Sequence, residues 1–248
     1  MPSGIELAAL AALVVGAAVL YSSGGHAGAS AYLGLMALFG VAAPQMRPTA
    51  LVLNIAVAAI GTIRFARAGA VPWRTVLPLL VGSVPAAFAG GAIRPSPGTY
   101  LTILGALLLV AAVPLWLPPR PGPLRAPPAG GILAILGAGF GFLAGLTGVG
   151  GGIFLSPTLV LSGWEEPRRA SGASAVFILA NSASGLLGHA TSVTHVPMQA
   201  AALAACAVSG GLVGSFLGAH RLRSIAIRRV HGTLLLVSGC KLLWEGLT

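Results

Sequence analysis

Apolar residues run through this chain in long blocks, and the polar residues collect between them. A helix that crosses a bilayer needs roughly 20 mostly apolar residues. On that measure the blocks predict helical segments over 5–21, 27–43, 49–68, 75–93 and 98–117, then over 130–147, 153–164, 170–189, 197–219 and 225–247. Residues 118–129, PPRPGPLRAPPA, carry too many prolines for a helix and read as an extended linker. The chain divides into a first transmembrane unit 1–117, that linker, and a second unit 130–248. The block 153–164 would span roughly 18 Å as a helix, short of about 30 Å of hydrocarbon, which predicts a half-helix or re-entrant piece. In each half the first two blocks meet at glycines: Gly24-Gly25 in one, Gly148-Val149-Gly150-Gly151-Gly152 in the other.

The halves repeat. Leu20 and Gly24-Gly25 match Leu146 and Gly150-Gly151 at an offset of 126. Asn54 matches Asn181 at 127, and Gly82, Ala86 and Gly90 match Gly210, Gly214 and Gly218 at 128. Equivalent loops carry opposite charge bias. Arg64, Arg67 and Arg74 have no basic counterpart in 191–196, whereas Arg94 alone corresponds to Arg221, Arg223, Arg228 and Arg229. By the positive-inside rule such loops lie on opposite sides. Placing these clusters in the cytoplasm with Arg120, Arg125, Arg168 and Arg169 leaves Arg47, Arg94 and Lys241 outside and makes the linker cytoplasmic. The expected fold is all-α and polytopic: two inverted-topology repeats of about five helical segments each, with broken or re-entrant helices at the glycine turns. A parallel repeat stays open if one short piece per half does not cross.

Composition narrows the class. Of 248 residues 56% are hydrophobic and 7% charged, against about 25% charged in soluble domains, so the chain is an integral membrane protein. The net charge of +10 then marks loops, and nucleic acid is not an expected partner. Cys206 and Cys240 read as small buried hydrophobes, and the N-terminus lacks the basic region of a cleaved signal peptide. No metal-ligand spacing, nucleotide-binding loop or nucleophile–base pair is present, so no cofactor, metal or enzyme activity is expected.

Inverted-repeat transporters bind substrate near the midplane at interrupted helices. Free N–H groups at a helix start form a natural anion site, and glycine allows close approach. That makes Gly24, Gly25, His26, Thr147, Gly148, Gly150, Gly151, Gly152 and Ser156 candidate substrate-binding residues. Gly137, Gly141 and Gly145, and Gly210, Gly214 and Gly218, read as helix-packing faces instead. Asn54 and Asn181 lie at matched places within spans, as interhelical glue or cavity lining, with Thr49 and Ser174 near the starts of the same helices. His189, His195 and His220 flank loops and read as solvated, while His26 is the candidate proton carrier. No carboxylate falls mid-span: Glu6, Glu165, Glu166 and Glu245 lie near segment ends or in a loop.

The run Gly141-Phe-Leu-Ala-Gly145-Leu-Thr-Gly148-Val-Gly150-Gly151-Gly152-Ile-Phe-Leu-Ser-Pro157 resembles the signature of the sulfite exporter TauE/SafE family, also called the toluene sulfonate uptake permeases. Arg169-Ala-Ser-Gly-Ala-Ser174 and Asn181-Ser-Ala-Ser-Gly185 are similar to its next stretch, and the resemblance covers essentially the whole chain. The first-half copy departs from it: Tyr21–Gly28 has two adjacent glycines, with Ala31 at the place matching Pro157. The resemblance implies a permease or exporter for a small sulfur-containing anion, sulfite or an organosulfonate, in a bacterial inner membrane. The anion and the lipid bilayer are then its partners, with a homo-oligomer left open. A non-transporting membrane subunit, or a permease for another small solute, is the alternative.

Overall fold

Helices form where the apolar blocks lie. The computed structural model describes residues 4–23, 27–116, 124–190, 198–218 and 225–248, and among these there is no strand. In the first half run α1 (Gly4–Ser23), α2 (Ala29–Leu38), α3 (Ala43–Arg67), α4 (Trp73–Ala92) and α5 (Pro97–Trp116). In the second run α6 (Gly130–Thr147), α7 (Gly152–Leu161), α8 (Pro167–Ala190), α9 (Met198–Gly218) and α10 (Ile225–Leu247). Helices α1, α3, α4, α5, α6 and α8 are long and apolar enough to cross a membrane. With Val81 72%, Ile135 74% and Trp244 72% exposed, the outer surface is apolar, as a lipid-facing surface must be. This is a multi-pass, all-helical membrane protein.

The expected segments α6 and α10 have the observed limits, and α7 is shorter than expected, at 10 residues. The largest difference is α3, which begins at Ala43 rather than 49. Pro44 sits in its first turn, where a missing N–H is harmless, and the helix carries Pro48 one turn later. Arg47 therefore belongs to a helix rather than to a loop. The part of the linker within the described residues, 124–129, is not helical, as its prolines require. Cys206 is half-buried and Cys240 exposed, so the expectation of two buried cysteines does not hold: both sit on helix faces that no other helix covers completely.

Small residues bring the helices close. Gly137, Gly141 and Gly145 of α6 lie against the backbone at Leu79, Ser83 and Ala87 of α4. Gly210 and Gly214 of α9 lie against Val15 and Val19 of α1. Any side chain at these glycines would strike a carbonyl group, so the packing role expected for Gly137, Gly141, Gly145, Gly210 and Gly214 holds. Helices α3 and α8 pack together at the centre, α5 packs on α10, α2 on α3 and α10, and α7 on α8.

Most of the helix packing maps onto itself when α1–α5 exchange with α6–α10: α1 on α9 becomes α6 on α4, and α2 on α3 becomes α7 on α8, whereas α1 on α2, α3 on α5 and α5 on α6 have no counterpart of similar extent. The contact Gly141 to Ser83 maps onto Val15 to Gly210, and Gly145 to Ala87 onto Val19 to Gly214, with offsets of 126 and 127. The short helices share a terminal turn. Gly40 and Val41 donate to Ala37 and Met36, and Gly163 and Trp164 donate to Val160 and Leu159, at an offset of 123.

Candidate functional site

The second-half break is built by glycine backbone. Helix α6 ends at Thr147, and Gly148 (φ 83°), Gly150 (φ 79°) and Gly151 (φ 77°) take the left-handed conformation that side-chain-bearing residues resist. Three such residues in four reverse the chain, and α7 starts at Gly152. Among the described residues, the N–H groups of Gly150, Gly151, Gly152 and Ile153 donate to no acceptor.

The turn rests on α3 and α8. Asn54 Nδ2 donates to the Gly148 carbonyl at 3.3 Å. A side chain at Gly150 would meet Asn54 Nδ2 at 2.8 Å and Ser182 Oγ at 3.3 Å; at Gly151 it would meet the Phe177 ring at 2.7 Å. Ser174 and Ile178 stand beside Gly152. Asn54, Asn181, Thr49, Ser174 and Ser182 are all fully buried. Among the described residues, the carbonyl oxygens of both asparagines and the hydroxyls of Thr49, Ser174 and Ser182 have no hydrogen-bond partner. A buried polar atom without a partner is costly, and several around one turn mark a place organised for something polar.

The candidate residues separate on this geometry. Asn54 joins the break directly, whereas Asn181 donates to Phe177 O of its own helix at 2.8 Å. Thr147 spends its hydroxyl on Leu143 O at 2.6 Å, and Tyr100 holds the Thr147 carbonyl at 3.0 Å. Ser156 lies one turn along α7, half-buried. Thr49 and Ser174 cap nothing: both lie inside their helices, because α3 and α8 start earlier than the sequence indicated. Ser182 enters the shell beside Asn181, and its signal was the serine-rich stretch around that asparagine.

Gly24, Gly25, His26, His195 and His220 lie outside the described residues. What flanks the first-half break is described. Gly28 (φ 95°) caps α2 as Gly151 caps α7. A narrow cleft of about 10 Å³, room for about one water, adjoins this break, lined by Ser22 and Ala27 with Val57, Ala58 and Gly61 of α3 and Gly211 of α9. Ser22 and Ala27, which flank the first break, lie beside the second half of α3 (Val57, Ala58, Gly61 and Phe65), and the second break lies beside its first half (Arg47 and Asn54).

Two residues read as outlying are buried at the second break. Arg47 is 5% exposed and His189 6%, so His189 is not solvated: it closes the end of α8 against α3. Arg47 donates to Ile93 O at 2.9 Å and to Leu146 O at 3.2 Å, and pairs with His189 Nδ1 at 2.6 Å. The signal for this was Pro44, a helix-start residue that places Arg47 in a first turn.

Comparison with known proteins agrees with this architecture. The family model for "Sulfite exporter TauE/SafE" matches residues 8–242. A "Probable membrane transporter protein y4hK" of Sinorhizobium fredii is 36% identical over 92% of this chain and 94% of its own length. A "Probable membrane transporter protein MamO" of Paramagnetospirillum magneticum is 27% identical over 92% of this chain and 42% of its own. A "Probable membrane transporter protein YunE" of Bacillus subtilis is 31% identical over 43% of this chain. No solved structure matches the chain.

Proposed function

The chain belongs to the sulfite exporter TauE/SafE family of membrane transporters, and on that premise we propose that it moves a small sulfur-containing anion, sulfite or an organosulfonate, through its glycine breaks. The observation that carries this reading is the α7 start: four N–H groups without acceptors, inside a shell of buried Asn54, Ser174 and Ser182. Backbone amides at the positive end of a helix suit an anion, and serine hydroxyls add donors without adding charge. The family description supplies the substrate class.

The two halves are inverted copies in this reading. The exchange of packing partners supports it, as does the placing of the first break's flanking residues and of the second break beside opposite halves of α3. So does the grouping of charge. The α3–α4 loop with Arg64, Arg67 and Arg74 meets the start of α8 with Arg168 and Arg169, through Gly172 against Ala70. Arg125 joins the same end by donating its N–H to Gly163 O at 2.7 Å. With that end in the cytoplasm of a bacterial inner membrane, the cleft beside Ser22 and Ala27 lies on the cytoplasmic side. An anion entering there and leaving outward runs down the membrane potential by about 2.3 kcal/mol per charge per 100 mV, without a carboxylate relay.

The test is flux in liposomes holding purified protein, with sulfite, methanesulfonate and acetate as probes. Sulfite or methanesulfonate is expected to move faster than acetate. Folded protein that moves none of the three overturns the permease reading and favours a non-transporting subunit.

A further inference from the structure

Arg47 is a buried cation without a carboxylate. The paired acids are elsewhere: Glu165 with Arg169 at 2.9 Å, and Glu245 with Lys241. Among the described residues its three partners are two carbonyl oxygens and one imidazole, all neutral acceptors, which occupy three of its five N–H donors. A buried charge held only by neutral groups carries a desolvation penalty that a counter-charge would relieve.

The imidazole has a fixed role. A guanidinium donates only, so His189 Nδ1 must offer its lone pair, which makes His189 neutral with its proton on Nε2. That Nε2 is itself buried and without a partner. His189 is thus a weak acceptor standing where a stronger one fits, since an oxyanion binds a guanidinium more tightly than a neutral group does.

The place is also informative. Arg47 lies against Gly148, where an added side chain would meet its carbonyl at 3.1 Å and Cγ at 3.2 Å. It touches the last residues of α6 and of α8, and the residue that follows α4. Ile93 and Arg94 above it are exposed. The arginine therefore sits between the amides of the second-half break and the surface opposite the arginine-rich end.

From this we infer that Arg47 is a second anion-recognition residue, at the outer end of the path, with His189 occupying it between anions. The inference rests on the permease reading. A departing oxyanion takes over the guanidinium from His189, frees the end of α8 from α3, and leaves; His189 then returns. No covalent bond changes.

Two variants should move in opposite directions. Arg47→Lys keeps the charge and loses the fork, and is expected to raise the KM for sulfite flux about tenfold with Vmax within twofold. His189→Leu removes the competing acceptor and is expected to lower that KM about threefold. A purely structural tie would lower Tm and leave both KM values unchanged; that result, or a KM unmoved in either variant, overturns the inference. A second readout needs no flux. Sulfite is expected to raise the Tm of purified wild type and to do so less in Arg47→Lys. Wild type that transports, with full sulfite stabilisation kept in Arg47→Lys, removes this inference and leaves the permease. Wild type that neither moves nor is stabilised by sulfite or methanesulfonate removes both.

Discussion

The two helix breaks share a design and differ in what surrounds them. Each ends in a left-handed glycine that caps a 10-residue helix, Gly28 before α2 and Gly151 before α7. The second is packed: Asn54, Phe177 and Ile178 fill the space beside its glycines. The residues flanking the first adjoin a narrow cleft of about 10 Å³ beside the other half of α3. The two caps thus share a backbone conformation and differ in their side-chain setting.

The largest expected effect tests how alike the caps are. Gly151→Val forces a side chain into a left-handed position and against the Phe177 ring, at a cost of about 2–5 kcal/mol from strain and crowding together. Gly28→Val meets the Tyr32 ring at 2.8 Å at a similar φ and should lose as much. The measure is the yield of monodisperse protein and its Tm in detergent. A tolerant Gly28 would extend the divergence to the cap itself.

Next in size come the matched asparagines. Asn54→Leu leaves the Gly148 carbonyl without its donor and is expected to cost about 1–3 kcal/mol. Asn181→Leu removes only a bond within its own helix, and about 1 kcal/mol or less follows. Equal losses in thermal unfolding would mean that the turn does not depend on Asn54.

Filling space then separates the two surroundings. Ala58→Leu overfills the narrow cleft and is expected to cost about 1–3 kcal/mol while cutting flux at least tenfold. Ile178→Phe adds bulk at the packed break and should cost about 1–3 kcal/mol. Undiminished flux in Ala58→Leu would take the cleft out of the transport path.

How much of this was legible follows from what a sequence encodes. Hydropathy alone located ten helices, because length and apolarity suffice to name a span. The packing glycines were legible from four-residue spacing, which a helix face converts directly into contact. Arg47 and His189 were misread because charge and position near a span end mark a loop on average, and only tertiary contact shows that α4, α6 and α8 close over this one. The pairing of Gly24-Gly25 with Gly150-Gly151 falls outside the described residues; the described left-handed cap on that side is Gly28, three positions beyond the one that the 126 offset matches to Gly151. The buried hydroxyls of Ser174 and Ser182 gave only composition, since a serine inside a helix reads equally as packing.

The smallest effect concerns how the far ends of the short helices are tied. At the end of α2, Lys241 of α10 donates to Ala37 O at 2.9 Å and pairs with Glu245. At the end of α7 the tie is backbone: Arg125 N–H to Gly163 O. A cation at a helix C-terminus meets the negative end of its dipole. The lysine side chain is about one-third exposed, so solvent weakens the pair, and Lys241→Met should cost about 0.5–1 kcal/mol. Arg125→Ala keeps its N–H and should cost nothing measurable, whereas Arg125→Pro removes it and should cost about 1 kcal/mol. The measure is Tm in the absence of substrate. If Lys241→Met slows flux far more than so small a loss of stability explains, α2 moves during transport and its outer anchor matters to the motion. If neither tie affects flux, both short helices stay fixed and the moving parts lie between α3 and α8.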